Sequence, residues 1–265
     1  METTNIGQVV EFLDLTFPPK YQEEYDNSGF LLGDSHEPCR GVLTAVDLTP
    51  QVVAEAKSHG CNLIVTHHPF IFGGIKRITN RTEAGRMTID LICSNIAVYA
   101  AHTNLDNMAC GVNGILAEKL GLAQCRILTP AARYADPTVG AGMVGTLPNA
   151  EETSSFLQRV KSTLGLPVVR CSDLCRSHVR TVALCGGSGS FLIADAIDAG
   201  ADIFLTADLK YHDFQRAEGR IVLADVGHYE SEQFAKELIC CAISKNFCNF
   251  VCRISEAKGG YVNYI

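Results

Sequence analysis

The first strand–helix–strand pattern in the chain is GVLTAVDLTPQVVAEAKSHGCNLIVTHH, at residues 41–68. Two short apolar runs flank a segment with helical spacing of its apolar residues, which has a Thr-Pro pair before it and a glycine after it. These are typical start and stop signals of a helix. The alternation continues with the strand-like runs IAVYAA, VRTVALC, DIFLT and RIVLADV, each followed by a helix-like segment. Strands that alternate with helices predict an α/β fold with mainly parallel sheets.

The chain is expected to divide into two α/β halves, residues 1–128 and 129–265, with a metal site in the cleft between them. The boundary is placed in the less regular stretch TPAARYADPTVGAGMV, at residues 129–144. The segment that follows, up to residue 171, predicts a strand, a helix and a strand. A chain of 265 residues, 47% of them apolar, can bury a sizeable core.

Charge and hydropathy argue against two classes of partner. The formal net charge of −7 and the scattered lysines and arginines argue against a nucleic-acid partner, because binding to phosphates needs a basic face. No run of 18 apolar residues is present, so no membrane span is expected. The first 17 residues predict an amphipathic helix and lack the features of an export signal, which favours a cytoplasmic location.

The 12 cysteines suggest a disulfide framework or a zinc cluster, and neither is expected here. A large chain in a reducing compartment has no need of disulfides. The closely spaced pairs are Cys171 with Cys175 and Cys248 with Cys252. Four residues along a strand span roughly 13 Å, too far for two thiolates to share one zinc ion without a turn. We therefore expect most of these cysteines to be small buried apolar residues.

Polar side chains follow the strand-like runs at their carboxyl ends. In open α/β sheets this edge is where binding sites are built, because loops from neighbouring parallel strands meet there. The groups that follow the six runs, in order, are Asp47; His67 and His68; His102, Asn104 and Asp106; the loop Gly186-Gly187-Ser188-Gly189-Ser190; Asp208 and His212; and His228 with Glu232.

Three of these groups favour a metal site. His67 and His68 stand at a strand end before Pro69, where two adjacent imidazoles can splay and serve a pair of ions. Asp106 shares a face with His102 if the segment stays extended. His228 and Glu232 lie one helical turn apart and can clamp an ion together.

Each group also has a plainer interpretation. The paired histidines can be structural, Asp106 can cap the next helix, and His228 with Glu232 can form a surface pair. Together they offer three imidazoles and two carboxylates, a set suited to two divalent ions of Zn, Fe, Mn or Co.

Several blocks resemble the GTP cyclohydrolase I type 2 homologue family, also called the Nif-three-like family. They are YDNSGFLLGD, CNLIVTHHPFIF, IAVYAAHTNLDN, VALCGGSGS, GADIFLTADLKYHDF and DVGHYESEQF, in order from about residue 25 to residue 234. The resemblance implies a two-part α/β fold and a homohexamer. It also implies a dinuclear metal centre with ligands at His67, His68, Asp106, His228 and Glu232. The chain resembles the family's short form, which lacks an extra domain between the halves.

The leading functional hypothesis is a metal-dependent hydrolase that acts on GTP or a related small phosphorylated compound, with His102 moving the proton. A non-catalytic metal-binding or partner-binding scaffold and a phosphoesterase are the alternatives. The glycine-rich loop at 186–190 either cradles a phosphate or forms a tight turn. Side chains expected to orient ligands or to contact substrate are Asp47, His102, Asp208, Lys210 and His212.

Overall fold

The structure is a computed structural model that describes residues 4–265. The strands are β1 (Gly29–Leu32), β2 (Gly41–Ala45), β3 (Leu63–Thr66), β4 (Ala97–Ala100), β5 (Ala123–Pro130), β6 (Gly140–Glu152), β7 (Arg170–Cys171), β8 (His178–Ser188), β9 (Ile203–Ala207), β10 (Val222–Asp225) and β11 (Val251–Ile254). The α-helices are α1 (Ile6–Thr16), α2 (Pro50–Ser58), α3 (Glu83–Cys93), α4 (Thr103–Asp106), α5 (Val112–Lys119), α6 (Thr153–Leu164), α7 (Ile193–Asp198), α8 (Tyr211–Gln215), α9 (His228–Glu232) and α10 (Ala235–Asn246). The six predicted strands are all present, and the predicted α/β class is confirmed.

The chain forms two compact units. The first contains the residues up to Leu105 together with Ala235–Gly260, and the second contains Asp106–Phe234 with Tyr261–Ile265. The sequence predicted a single boundary at 128/129, whereas the observed chain passes out of the first unit after Leu105 and returns at Ala235. The return occurs because β11 pairs with β2 and completes the first sheet.

The first unit is built on a five-stranded sheet in the order β1-β4-β3-β2-β11. Four strands run parallel and β1 is antiparallel to β4, so this sheet is mainly parallel as predicted. Its apolar face packs Leu43, Ile64 and Val98 against Val53 of α2 and Leu91 of α3. The start of α2 follows the sequence signal, since Thr49 Oγ1 accepts a hydrogen bond from the amide of Val52 and Pro50 occupies the first turn.

The second unit is built on a six-stranded sheet in the order β5-β6-β8-β9-β10-β7. Only β8, β9 and β10 are mutually parallel, and the remaining pairs are antiparallel. This sheet is therefore mixed, because β5 and β6 form a hairpin where the sequence predicted an irregular connection. Its faces bury two apolar clusters, around Phe156 of α6 and around Phe204 of β9. Among the described residues, no helix combines the length and apolar character needed to cross a membrane.

Candidate metal centre

Strand register brings three polar groups to one edge of the first sheet. Thr66 at the end of β3 pairs with Ala45 at the end of β2 and with Ala100 at the end of β4. Since neighbouring strands lie about 4.8 Å apart, the residues that follow these ends are near neighbours. The edge therefore carries Asp47 after β2, His67 and His68 after β3, and His102 after β4.

The two adjacent histidines are held separately. The Nδ1 atom of the fully buried His67 donates to the carbonyl oxygen of Ala101 over 2.7 Å. The Nδ1 atom of the half-buried His68 donates to Asp47 Oδ1 over 2.8 Å. Both protons are thus on Nδ1, so Nε2 is the nitrogen of each ring that can bind a metal ion. The ring centroids are 4.9 Å apart. The predicted strand end at Thr66 explains why both imidazoles can lie on the same side.

His102 forms a dyad with Asp26. Its Nδ1 atom lies 2.7 Å from Asp26 Oδ1, and its ring centroid lies 5.4 Å from that of His67 and 5.5 Å from that of His68. Asp26 also accepts hydrogen bonds from the amide and hydroxyl of Thr103. Burial alone would raise the pKa of Asp26, but the bonds from His102 and Thr103 outweigh it and hold that pKa well below its usual range. No local pattern in the sequence indicates this pair, because 76 residues separate Asp26 from His102.

The HTNLD segment is not extended, so the condition on which Asp106 would share a face with His102 is not met. Residues Thr103–Asp106 form α4, and the Asn104 side chain starts it by accepting from the His102 amide over 2.8 Å. The same side chain donates to the Phe17 carbonyl, so Asn104 is structural. Asp106 is the last residue of α4 and lies in the second unit, where its carbonyl oxygen accepts from Asn113 over 3.0 Å.

The second unit carries the predicted His228–Glu232 pair. The parallel strands β9 and β10 end in register, with Thr206 opposite Asp225, and α9 starts just beyond β10. His228 Nε2 lies 3.1 Å from Glu232 Oε2, and His228 Nδ1 lies 2.7 Å from Asp208 Oδ2. The hydrogen bond to Glu232 is the main reason that the pKa of His228 rises to about 9, against the opposing effect of burial. The Glu232 side chain is almost completely buried, so its charge needs a cation or a hydrogen-bond donor beside it.

The glycine-rich loop at 186–190 makes room for Glu232. Gly187 has a φ of +61°, and a Cβ atom at this position would lie 2.1 Å from Glu232 Oε1. The amide of Gly186 donates to Asn113 Oδ1 over 2.8 Å, and the amide of Gly187 donates to Ser231 Oγ over 2.9 Å. These two amides are therefore engaged within the protein and do not cradle a phosphate. The tight-turn interpretation is the one that the structure supports.

Three of the predicted ligands form a group that can hold a metal ion. His67, His68 and Glu232 each offer one ligand atom, and these atoms lie within 4.8 Å of one another. Within residues 4–265 this is the one group of three or more histidine, cysteine and acidic side chains with that spacing. Asp106 and His228 are not members of it, and their role as ligands stays a prediction.

The residues expected to support the site fall into two classes. Asp47 and Asp208 orient His68 and His228, as their positions after neighbouring strands suggested. The side chain of His212 instead contacts Gln215 within α8, and the Lys210 amide bonds to Asp213 at the start of that helix.

Most cysteines are on the surface, contrary to the expectation that they are buried. All 12 are free thiols; only Cys39, Cys61, Cys185 and Cys240 are buried, and seven are exposed. Burial and the nearby charges of Asp106 and Glu232 raise the pKa of the Cys185 thiol well above its usual range, so it stays protonated. No cysteine in the described part of the chain joins the group of candidate metal ligands.

The comparisons with known proteins decide the family. The family model described as Duf34/NIF3 (NGG1p interacting factor 3) matches residues 4–258. The chain belongs to the Duf34/NIF3 family. Relatives named GTP cyclohydrolase 1 type 2 homolog include those of Clostridium perfringens, 33% identical with 86% of each chain covered, and Streptomyces coelicolor, 34% identical with 86% of this chain and 81% of that protein covered.

Solved structures of the family share the fold. A hypothetical protein of Staphylococcus aureus superposes with a TM-score of 0.91 at 29% identity, with all of both chains covered. This Duf34/NIF3 chain therefore shares that fold over the residues that the structure describes, and the family resemblance predicted from the motifs is confirmed.

Proposed function

We propose that this Duf34/NIF3 protein binds divalent metal through His67, His68, Asp106, His228 and Glu232 and hydrolyses a small phosphorylated compound, with GTP as the first candidate. The single observation that supports it most is the group formed by His67, His68 and Glu232. The curated relatives bear the name GTP cyclohydrolase 1 type 2 homolog, which suggests GTP as the first substrate to test.

The chemistry of the donor set fits a divalent cation. Two imidazoles and a buried carboxylate suit ions such as Zn, Fe, Mn or Co, and the Nδ1–H groups of both imidazoles are bound in the way that metal-ligating histidines usually are. The charges of Asp106 and Glu232 both contribute to the raised pKa of the buried Cys185 thiol, which supports a shared role for these two carboxylates of the second unit. Two such carboxylates, with three imidazoles, provide enough ligands for two ions.

The residues around the ligands suggest how the protein moves a proton. A bound divalent cation would act as a Lewis acid that polarises the substrate and makes a water molecule more acidic. Asp26 fixes the Nδ1 proton of His102, so the other ring nitrogen of His102 accepts a proton from the attacking water and returns it to the leaving group. Thr103 and Ser28, through their bonds to Asp26, keep that carboxylate in place.

The test measures metal and turnover on the same preparations. Wild type, Glu232→Ala and the control Glu118→Ala, an exposed glutamate on α5, are purified and their metal content is determined by elemental analysis. GTP and a panel of phosphoesters are then offered, and formate and phosphate are measured. We expect metal and turnover in wild type and Glu118→Ala, and loss of both in Glu232→Ala.

The outcomes separate the candidate functions. Release of formate identifies a cyclohydrolase, and release of phosphate alone identifies a phosphoesterase. Full metal occupancy with no turnover on any substrate refutes a hydrolase and leaves a metal-binding scaffold. Unchanged metal content in Glu232→Ala refutes the proposed site.

We also propose a homohexamer, as the resemblance to this family implies, and a cytoplasmic location. Light scattering on the purified chain gives the mass, and a mass other than six times 28.7 kDa contradicts the assembly. Fractionation of the source cells tests the location.

A further inference from the structure

Two exposed aromatic side chains stand next to His102 in the first unit. Tyr25 is 67% exposed and Phe72 is 50% exposed. Their ring centroids are 6.2 Å apart, with the ring planes tilted by 47°. The Phe72 ring lies 6.0 Å from the His102 ring, which in turn lies within 5.5 Å of the His67 and His68 rings. A continuous series of rings thus runs from solvent to the candidate metal ligands.

The backbone that carries these two aromatic residues is tied to the network around His102. On one side, the Glu23 amide donates to Thr103 Oγ1 over 2.9 Å. On the other side, Asn27 Nδ2 donates to the carbonyl oxygen of Ile71, the residue before Phe72, over 2.5 Å. Asn27 itself follows Asp26, whose carboxylate holds His102. The backbone segments that carry the two rings are therefore hydrogen-bonded to Thr103, which donates to Asp26, and to Asn27, which follows Asp26.

Exposed aromatic rings with this arrangement favour one kind of occupant. Apolar ring surface in water is unfavourable, and a planar ring that covers it gains both burial and stacking. The carboxylate of Asp26, the residue after Tyr25, is engaged by His102 and Thr103. A flat heteroaromatic ring can stack on such rings, whereas a phosphate gains nothing from apolar ring surface.

We infer that Tyr25 and Phe72 form a binding surface for the heteroaromatic ring of the substrate, a nucleobase, beside His102. This inference rests on the proposed function, because it places one end of a nucleotide-like substrate. A base stacked on Phe72 presents its attached groups towards His102, His67 and His68. The surface would then determine which phosphorylated compounds the protein accepts.

The experiment separates the base from the rest of the molecule. Guanosine, which has a base and no phosphate, and ribose 5-phosphate, which has a phosphate and no base, are titrated calorimetrically into the full metal-loaded chain. The variants are Phe72→Ala, Phe72→Leu, which keeps an apolar side chain without a ring, and Tyr25→Ala. The control is Phe191→Ala, which removes an aromatic side chain that is 61% exposed in the second unit.

Loss of a stacking partner should weaken guanosine binding by about tenfold or more in Phe72→Ala. Phe72→Leu should lose most of the same guanosine affinity. Ribose 5-phosphate binding and metal content should match those of wild type in all variants. Phe191→Ala should bind guanosine as tightly as wild type does. Equal guanosine affinity in wild type and Phe72→Ala, or no guanosine binding by wild type, overturns the inference. A changed oligomeric mass in Phe72→Ala also overturns it, because the surface is then a contact between copies of the chain. Failure of the proposed function would instead appear as absent metal or absent turnover.

Discussion

Gly187→Ala tests whether the missing side chain at Gly187 leaves the space that the Glu232 carboxylate occupies. A Cβ atom at Gly187 would lie 2.1 Å from Glu232 Oε1 and 3.1 Å from Glu232 Cδ. To restore an ordinary contact of 3.4 Å, the carboxylate oxygen has to retreat by about 1.3 Å, the difference between the two distances. The far end of a glutamate can make that shift at little cost in stability, but the carboxylate then leaves the position in which it lies 3.1 Å from His228 Nε2.

The effect of Gly187→Ala has two parts, one on the free energy of unfolding and one on metal affinity, and each can be measured separately. An alanine at a φ of +61° costs about 1–2 kcal/mol in the free energy of unfolding. Displacement of a ligand by this distance is expected to weaken metal binding by roughly 10- to 100-fold, the range found when the support of a metal ligand is removed. The two effects are distinguished by Gly165→Ala, where φ is +68° and a new Cβ has no heavy atom within 4 Å.

The assay compares both variants with wild type by urea denaturation and by titration with a divalent metal. We expect a similar loss of stability in both variants and weaker metal binding in Gly187→Ala alone. Equal metal affinity in the two variants would refute the conclusion that Gly187 makes room for the Glu232 carboxylate. If Gly187→Ala loses several kcal/mol more in the free energy of unfolding than Gly165→Ala does, the backbone has to move to relieve the clash, and not the Glu232 side chain.

Three further results are expected. Asp47→Asn should weaken metal binding roughly 10- to 100-fold without loss of the fold. The side-chain amide is a poorer acceptor for His68 Nδ1 than the carboxylate and no longer fixes the proton on that nitrogen. Unchanged affinity in a metal titration contradicts this expectation. Phe156→Ala should lower the free energy of unfolding, measured by urea denaturation, by about 3–5 kcal/mol, because Phe156 is fully buried. Phe191 is exposed, so Phe191→Ala should lower it by less than about 0.5 kcal/mol. Equal losses in the two variants would contradict the assigned core. Because the pKa of Asp26 is held below its unfolded value of about 4, its ionised form stabilises the fold above that pH and this contribution is lost as the pH falls towards the lower folded pKa. The stability difference between wild type and Asp26→Asn should therefore shrink between pH 7 and pH 2, and a constant difference would show that His102 and Thr103 do not stabilise the ionised carboxylate.

The strands and the polar side chains at their carboxyl ends could be predicted because apolar runs and the polar residues after them are local features. His67 and His68 follow β3, and His228 follows β10, as their positions in the sequence indicated. The helical pair His228–Glu232 was predictable for the same reason, since it depends on one turn of helix.

The partners of these residues could not be predicted because they depend on long-range packing. Asp26 contacts His102 across 76 residues, and nothing in YDNSG distinguishes a carboxylate that positions an imidazole from a turn residue. The short helix α4 was missed since its four residues form a single turn that Asn104 caps by a local bond. Likewise, a glycine-rich loop suggests a turn or a phosphate site, and only the placement of Glu232 shows why Gly187 lacks a side chain.

One arrangement recurs in both sheets and explains how the imidazoles are oriented. In the first sheet, Asp47 after β2 holds Nδ1 of His68 after the neighbouring parallel strand β3. In the second, Asp208 after β9 holds Nδ1 of His228 after its parallel neighbour β10. Parallel register aligns the carboxyl ends of adjacent strands about 4.8 Å apart, within reach of a carboxylate and an imidazole. An aspartate after one strand is therefore the expected partner of a histidine after the next, and exchange of either aspartate for asparagine should disturb only the histidine of its own sheet.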